Sequence, residues 1–311
     1  GGIEVRQVGL AIDGHHLLTN VSFDARPGTL TAVIGPSGAG KSTLIRLLGG
    51  VTKPTSGQVT FDGHDVHAHY ASLRSRIGMV PQDDVVHRQL TVSQALNYAA
   101  ELRLPPDTSK DDRSAVVERV LAELELTQHR DKRVDKLSGG QRKRASVALE
   151  LLTGPSLLIL DEPTSGLDPA LDRQVMQMLR RLADAGRTVL VVTHSLTYLN
   201  MCDQVLLLAP GGKTVYAGPP QAVGSAMGTQ DWADIFAWVS ANPDAAHAVF
   251  LQNNPAANQP PAPPEPAGPL GAPARTSTGR QMLTVARRQL QLIFADRIYS
   301  SFLLLLPFIL G

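Results

Sequence analysis

The stretch that most restricts this chain is Gly-Pro-Ser-Gly-Ala-Gly-Lys-Ser at residues 35–42. It satisfies G-x-x-x-x-G-K-[ST] at every fixed position, a pattern whose mechanical content is a loop that wraps phosphate. The flanks agree. Leu30 to Ile34 is a short apolar run fit for a buried strand, and Lys41 to Leu48 reads as a helix with Leu44, Leu47 and Leu48 turned towards a sheet. Gly35, Gly38 and Gly40 free the backbone to take positive φ and approach an anion, so successive N–H groups and the helix N-terminus converge on a β-phosphate. The expected contact set is Gly35, Pro36, Ser37, Gly38, Ala39, Gly40, Lys41, Ser42 and Thr43. Lys41 lies along the β- and γ-phosphates, and the Ser42 hydroxyl is offered to Mg2+. The bland alternative, an ordinary glycine-rich turn before a helix, is disfavoured because the full eight-residue pattern stands between strand and helix.

A chain of 311 residues with 43% hydrophobic side chains suggests about two domains and can bury a substantial core. A formal net charge of +1 shows no basic excess, so no nucleic-acid partner is expected. The single cysteine, Cys202, excludes an internal disulfide or a cysteine-built zinc site and is expected as a small core residue. Gly1-Gly-Ile-Glu-Val-Arg shows no secretory leader. Phe302 to Gly311 is apolar, yet shorter than the roughly 20 residues that cross a bilayer. It is expected to begin a membrane helix.

Residues 3–34 alternate apolar and polar, with turns at Asp13-Gly14 and Pro27-Gly28, and read as antiparallel strands that Gly57 to Phe61 extends. Ile77, Met79 and Val80 form a strand running into Pro81-Gln82, which places the Gln82 amide to touch a metal-bound nucleotide. Helices follow over Val92 to Leu102 and Asp111 to Leu126, the second with the stripe Val116, Val117, Val120, Leu121 and Leu124. Leu137-Ser-Gly-Gly-Gln141 opens a third helix. Ser138 is a good N-cap, and Gly139 and Gly140 make a second anion-receptive start, although the pentapeptide read alone fits mere capping equally well.

Leu157 to Leu160 is a doubly buried strand ending in Asp161 and Glu162, and ligands collect at the carboxyl ends of such strands. Asp161 is expected to hold Mg2+ directly or through water, and Glu162 to polarise an attacking water. A solvated acidic strand end is the alternative. Thr188 to Val192 is another buried strand, finishing at His194, whose imidazole can hold a γ-phosphate. Val205 to Leu208 and Thr214 to Tyr216 flank the hairpin signature Gly211-Gly212. Residues 229–252 read as a helical appendage. Residues 253–279, with eight prolines in 27 positions, read as an extended tether. Over residues 281–296, Leu283, Ala286, Leu290, Ile293 and Phe294 share one helix face, while Thr284, Arg288 and Gln291 share the other. Such a helix suits a membrane surface, with core packing as the alternative.

The phosphate loop, Gln82, Leu137-Ser-Gly-Gly-Gln141, Asp161-Glu162, Ser165-Gly-Leu-Asp168 and His194 follow one another in an order that resembles the ATP-binding cassette (ABC) transporter family over about residues 3–228. The resemblance implies ATP and Mg2+ as ligands. It makes Lys41 and Ser42 phosphate and metal contacts, Gln82 a metal sensor coupled to a membrane domain, Glu162 the catalytic base and His194 the switch histidine. It also implies a second cassette as partner: Ser138, Gly139, Gly140 and Gln141 would contact ATP held by that partner, and Asp168 would cross the interface, so ATP closes a dimer and hydrolysis releases it. Arg142-Lys-Arg144, the segment Leu90 to Leu96 and the apolar C-terminus are similar to the G-type, pigment- and sterol-exporter-like branch, whose half-transporters dimerise. The sequence is also similar to exporters of this branch in which phosphopeptide-binding forkhead-associated domains precede the cassette.

The implied fold is α/β: a P-loop NTPase core with an antiparallel β subdomain and a helical subdomain inserted at about residues 83–155, closing near residue 228. A Pro-rich linker at 253–279 and, over 280–311, a connecting helix and the start of a membrane domain follow. The implied location is the cytoplasmic face of the cell's inner (plasma) membrane. One position departs from the family pattern. Ile12 stands where an aromatic residue usually stacks on adenine, which leaves the base to aliphatic packing or to His15 or His16. The competing reading is a soluble cassette ATPase acting on DNA or ribosomes. Lys41 and Leu137 are only 96 positions apart, which leaves no room for the long coiled coil of the DNA-maintenance relatives, and zinc cysteines and a second cassette are missing from the sequence.

Overall fold

The computed structural model describes residues 1–260, 267–273, 275–296 and 301, so the expected membrane-helix start at 302–311 lies outside the described residues. In chain order, β1 (Ile3–Ile12) and β2 (His15–Ala25) form an antiparallel hairpin. Its turn is Asp13-Gly14, with φ angles of 50° and 77°, the left-handed pair that a two-residue hairpin needs. β3 (Leu30–Ile34), α1 (Lys41–Leu48), β4 (Ser56–Phe61), β5 (His64–Asp65), α2 (Tyr70–Leu73) and β6 (Ile77–Val80) follow. Next come α3 (Val92–Arg103), α4 (Lys110–Glu123), α5 (Gly139–Leu151), β7 (Leu157–Asp161), α6 (Pro169–Asp184) and β8 (Thr188–Val192). The chain continues with β9 (Gln204–Ala209), β10 (Lys213–Gly218), α7 (Val223–Met227), α8 (Trp232–Ala241), α9 (Pro243–Asn253) and α10 (Thr278–Ala295).

These elements divide into two compact units. The first contains Gly1–Gln82 and Pro155–Pro273; the second contains Asp83–Gly154 and the described residues after Pro273. In the first unit, ten strands make one sheet in the order β5-β4-β1-β2-β10-β9-β3-β8-β7-β6. The half running from β9 to β6 is parallel, and the β1, β2, β4 and β5 end is antiparallel. Every residue of β3 and β8 is buried, which is why both read as unbroken apolar runs in the sequence. From α1, Leu44, Ile45, Leu47 and Leu48 enter the core beside Val33, Ile159 and Val192. Each such side chain contributes about 1.5–3 kcal/mol through burial.

The stretch expected as a free tether is partly packed. Pro255–Asn258 forms one short 3-10 turn, Ala257 O accepts a hydrogen bond from Ser22 Oγ at 3.2 Å, and Leu270 packs against the core. Proline content forecast extended backbone, but isolated apolar residues in such a stretch still find the sheet. Residues 232–253 are likewise held rather than appended. Ile235, Val239, Ala246 and Phe250 are buried, and His247 Nδ1 lies 2.7 Å from Thr214 O on β10.

In the second unit, α3, α4 and α5 pack together. Val117, Val120, Leu121 and Leu124 of the expected stripe are buried and Val116 is half-buried. α10 packs on α3 through its polar face: Thr284, fully buried, donates to Glu101 Oε2 at 2.9 Å, and Arg287 donates to the same oxygen at 2.7 Å. Tyr98 bonds Gln291, and Arg280 bonds the Pro106 carbonyl. The apolar face looks outward, with Leu283, Leu290 and Phe294 exposed by 61%, 54% and 73%. Among the described residues, protein therefore covers the polar face of α10 and leaves the apolar face exposed.

Candidate active site

The carboxyl ends of three adjacent parallel strands stand in register: Val33 of β3 is opposite Val192 of β8, and Val192 is opposite Asp161 of β7. Three loops therefore leave the sheet at one level. One begins at Gly35, one is the Asp161-Glu162 pair, and one carries His194. Main-chain bonds lock that level, because Glu162 N–H donates to Val192 O at 2.9 Å and Thr193 N–H donates to Val33 O at 3.2 Å.

The loop from Gly35 to Gly40 needs its glycines for space as well as for torsion. Gly40, the N-cap of α1, has φ of 86°, and a Cβ there would lie 2.7 Å from Leu17 O. A Cβ at Gly35 would lie 2.4 Å from Leu208 O. Such contacts exclude a side chain at either position. Lys41 is buried, and its ammonium donates to Gly35 O at 2.8 Å and Pro36 O at 3.0 Å. Burial lowers its pKa from the usual lysine value, while Glu162 and Asp161 pull the other way.

Ser42 Oγ donates to Asp161 Oδ1 at 3.3 Å. Burial raises the Asp161 pKa above the ordinary carboxylate range; the Ser42 bond offsets it, Glu162 adds to it, and Lys41 and His194 oppose it. The protein thus leaves this carboxylate charge undercompensated, beside a hydroxyl. A hard oxygen pair with spare negative charge fits Mg2+. His194 Nε2 lies 2.7 Å from Glu162 Oε1. Gln82 donates to Ser165 Oγ at 3.3 Å. Asp168 caps α6, its Oδ1 accepting from Ala170 N and Leu171 N at 2.9 and 3.0 Å.

A cavity of about 430 Å³ opens above the loop, lined by His16, Leu17, Ser37, Gly38, Gly40, Lys41, Ser42, Thr43, Glu162, His194 and Gly211. It brings Ser37, Gly38, Gly40, Lys41, Ser42 and Thr43 of the expected phosphate contacts together with Glu162 and His194, whereas Gly35, Gln82 and Asp161 are not among its lining residues. Pro36 is reached through its carbonyl, while Ala39 is fully buried beneath the loop. At the far end, His16 lines the wall and neither Ile12 nor His15 does among the described residues. Ile12 pairs with His15 at the hairpin tip, on the sheet face opposite to that of the Ala11–His16 pair. The sequence alternation could not separate His15 from His16 without this register.

In the second unit, Ser138 caps α5. Its Oγ accepts from Gln141 N at 3.2 Å, and Gln141 Oε1 accepts from Ser138 N at 3.0 Å. The Gly139 and Gly140 N–H groups are left without intrahelical acceptors, as at any helix start. Gln141, expected on nucleotide, has its side chain taken up by this capping box and by His129, 3.2 Å away. Capping and anion reception are therefore compatible here. Within the Arg142-Lys-Arg144 run, Lys143 is buried and pairs with Asp84 at 3.1 Å, while Ser146 Oγ donates to the same carboxylate at 3.2 Å. Sequence reading missed Asp84 and also Asp172, a buried acid bonded to Ser195. Acids in helix and loop segments look solvated until their neighbours are known.

A family model described as ABC transporter matches residues 18–165. The ABC transporter ATP-binding/permease protein Rv1747 of Mycobacterium tuberculosis is 71% identical over 100% of this chain and 36% of its own length. ABC transporter G family member 26 of Arabidopsis thaliana is 42% identical over 66% of this chain and 31% of its own length. Among solved structures, cbiO1 from Clostridium perfringens, described as part of the ABC transporter complex cbiONQ, superposes with a TM-score of 0.66 at 28% identity. The match covers 81% of this chain and 98% of that one. The chain spans about a third of the length of the curated relatives it matches.

Proposed function

The chain belongs to the ABC transporter family and contains its ATP-binding domain, and from that premise we propose that it hydrolyses ATP to drive an exporter of the G-type branch. The observation that carries the reading is the 2.7 Å contact between His194 and Glu162 beside the phosphate loop. Glu162 takes the proton of a water whose oxygen attacks the γ-phosphorus, and the bond to the bridging oxygen breaks. His194 orients the Glu162 carboxylate and holds the γ-phosphate. Lys41 leaves its two loop carbonyls for the β- and γ-phosphates, exchanging neutral acceptors for anionic ones. Ser42 and Asp161 would hold Mg2+, with Gln82 proposed as the further contact, and the ion when bound neutralises charge on the phosphate oxygens.

ATP lies between two copies of the domain, with Ser138, Gly139 and Gly140 of one copy on the γ-phosphate held by the loop of the other. Asp168 faces the partner copy at that interface. The power stroke passes to a membrane domain at the cytoplasmic face of the inner membrane. The outward apolar face of α10 supports this over a soluble ATPase, because Leu283, Leu290 and Phe294 are exposed on a helix whose polar face is already satisfied by α3. Steady-state ATP turnover tests the reading. Glu162→Gln is expected to bind ATP and lose about 10²-fold or more in turnover; turnover near wild type removes Glu162 as the base.

A further inference from the structure

Asp172 stands one turn into α6, four residues after the N-cap Asp168, and is 9% exposed. Its Oδ2 accepts a hydrogen bond from Ser195 Oγ at 2.6 Å, and its buried Oδ1 has no partner among the described residues. Burying a carboxylate with one oxygen unsatisfied costs free energy. The neighbouring buried positions of α6 are filled by Val175, Met176 and Leu179, so the packing itself asks for an apolar residue here. What the acid gains is a grip on the residue that follows His194.

That grip completes a frame. Ser195 N–H donates to Thr193 Oγ1 at 3.0 Å, and Thr193 N–H donates to Val33 O at 3.2 Å, which anchors the His194 turn to the sheet. Asp172 anchors the same turn to α6. Tyr198 OH donates to Pro169 O at 3.2 Å and adds a second strut to the helix start. Asp168 and His194 thus sit at two ends of one hydrogen-bonded assembly.

We propose that Asp172 is a positioning residue for hydrolysis, holding the His194 turn through Ser195 so that the imidazole meets Glu162 and follows any movement of the helix that Asp168 begins. The inference rests on the hydrolytic reading of the Glu162–His194 pair. Among the described residues, Lys41 and Ser42 bond Gly35, Pro36 and Asp161 and make no hydrogen bond to residues 193–195, so the effect falls chiefly on turnover, with no more than a small loss of affinity through the displaced His194.

The test measures kcat, KM and ATP affinity in the intact protein for Ser195→Ala, Asp172→Ala, their double variant and Asp172→Asn, beside Glu162→Gln. Ser195→Ala is expected to lower kcat about tenfold with KM and affinity within twofold, the signature of a misplaced catalytic group. The double variant should be no worse than the worse single one, because both remove one shared contact. Asp172→Asn keeps an accepting oxygen and should recover most of the activity. Should Asp172→Ala fail to fold, Ser195→Ala and Asp172→Asn carry the test. Wild-type kcat in Ser195→Ala, or losses that add in the double variant, overturn the assignment. If Glu162→Gln also turns over normally, the hydrolytic reading falls with it; if Glu162→Gln is inactive, only the Asp172 inference falls.

Discussion

His194 Nε2 meets Glu162 Oε1 at 2.7 Å, and Glu162 holds this contact from a backbone φ of 44°, in the left-handed region that side-chain-bearing residues avoid. The conformation costs on the order of 1–2 kcal/mol. It persists because Glu162 N–H is fixed to Val192 O at 2.9 Å, on the strand that leads to His194. Backbone strain maintained by surrounding structure is a recurrent property of reacting centres. The sheet thus sets the carboxylate and the imidazole against each other in one step, through the alignment of β7 with β8.

Lys41 is the charge nearest the phosphates in this account. Replacing it with alanine removes charge-assisted bonds, each contributing about 1.5–3 kcal/mol, so ATP affinity should fall by about 10- to 100-fold. Titration with a fluorescent ATP analogue reads this directly. Unchanged affinity would remove Lys41 from the site.

Asp161 provides a pH test. Burial holds its folded-state pKa above the ordinary value, so the folded state binds the extra proton and loses relative stability as pH rises through the folded value. At neutral pH the ionised side chain is a cost in the absence of metal. Asp161→Asn should therefore melt above wild type near pH 7 without Mg2+ or nucleotide, and the gap should narrow as pH is lowered towards the ordinary carboxylate range. A gap that stays constant with pH would contradict this. The same variant should lose Mg2+-dependent turnover.

His16 lines the cavity and Ile12 does not, so we propose that a base held there stacks on His16. Ring stacking of this kind contributes about 0.5–1.5 kcal/mol, so His16→Ala should weaken ATP binding by about two- to tenfold. Ile12→Ala should leave affinity unchanged, and His16→Trp should restore or improve it. A larger loss in Ile12→Ala than in His16→Ala reverses the assignment.

For α10, the combined Leu290→Asp and Phe294→Asp change should leave thermal stability nearly unaltered, because both side chains are exposed and surface substitutions typically stay within about 0.5 kcal/mol each. Sedimentation with anionic lipid vesicles should drop. A large loss of melting temperature would mean that this face packs on protein, and undiminished vesicle binding would detach the helix from the membrane.

The parts of the fold legible in the sequence are those with one dominant cause. α1 and β8 occupy the ranges expected from apolar runs and a loop pattern, Lys41–Leu48 and Thr188–Val192. The phosphate loop, Glu162 and His194 were singled out by pattern and strand ends, and the structure brings them around one cavity. What periodicity could not supply was pairing. That His16 lines the cavity and Ile12 does not followed from the β1–β2 register, and the Asp172–Ser195 bond joins residues 23 positions apart on different elements. α10 shows the same limit: its two faces were readable, but which one meets protein depended on Glu101 and Tyr98 of α3.

A structure of Glu162→Gln with ATP and Mg2+ bound would show whether two copies of the chain enclose the nucleotide, as we propose. The account predicts a dimer in which Ser138 and the Gly139 and Gly140 N–H groups of one copy lie within hydrogen-bonding distance of the γ-phosphate held by Lys41 of the other. A triphosphate contacted by one copy alone, in a protein whose wild type turns over, would contradict it.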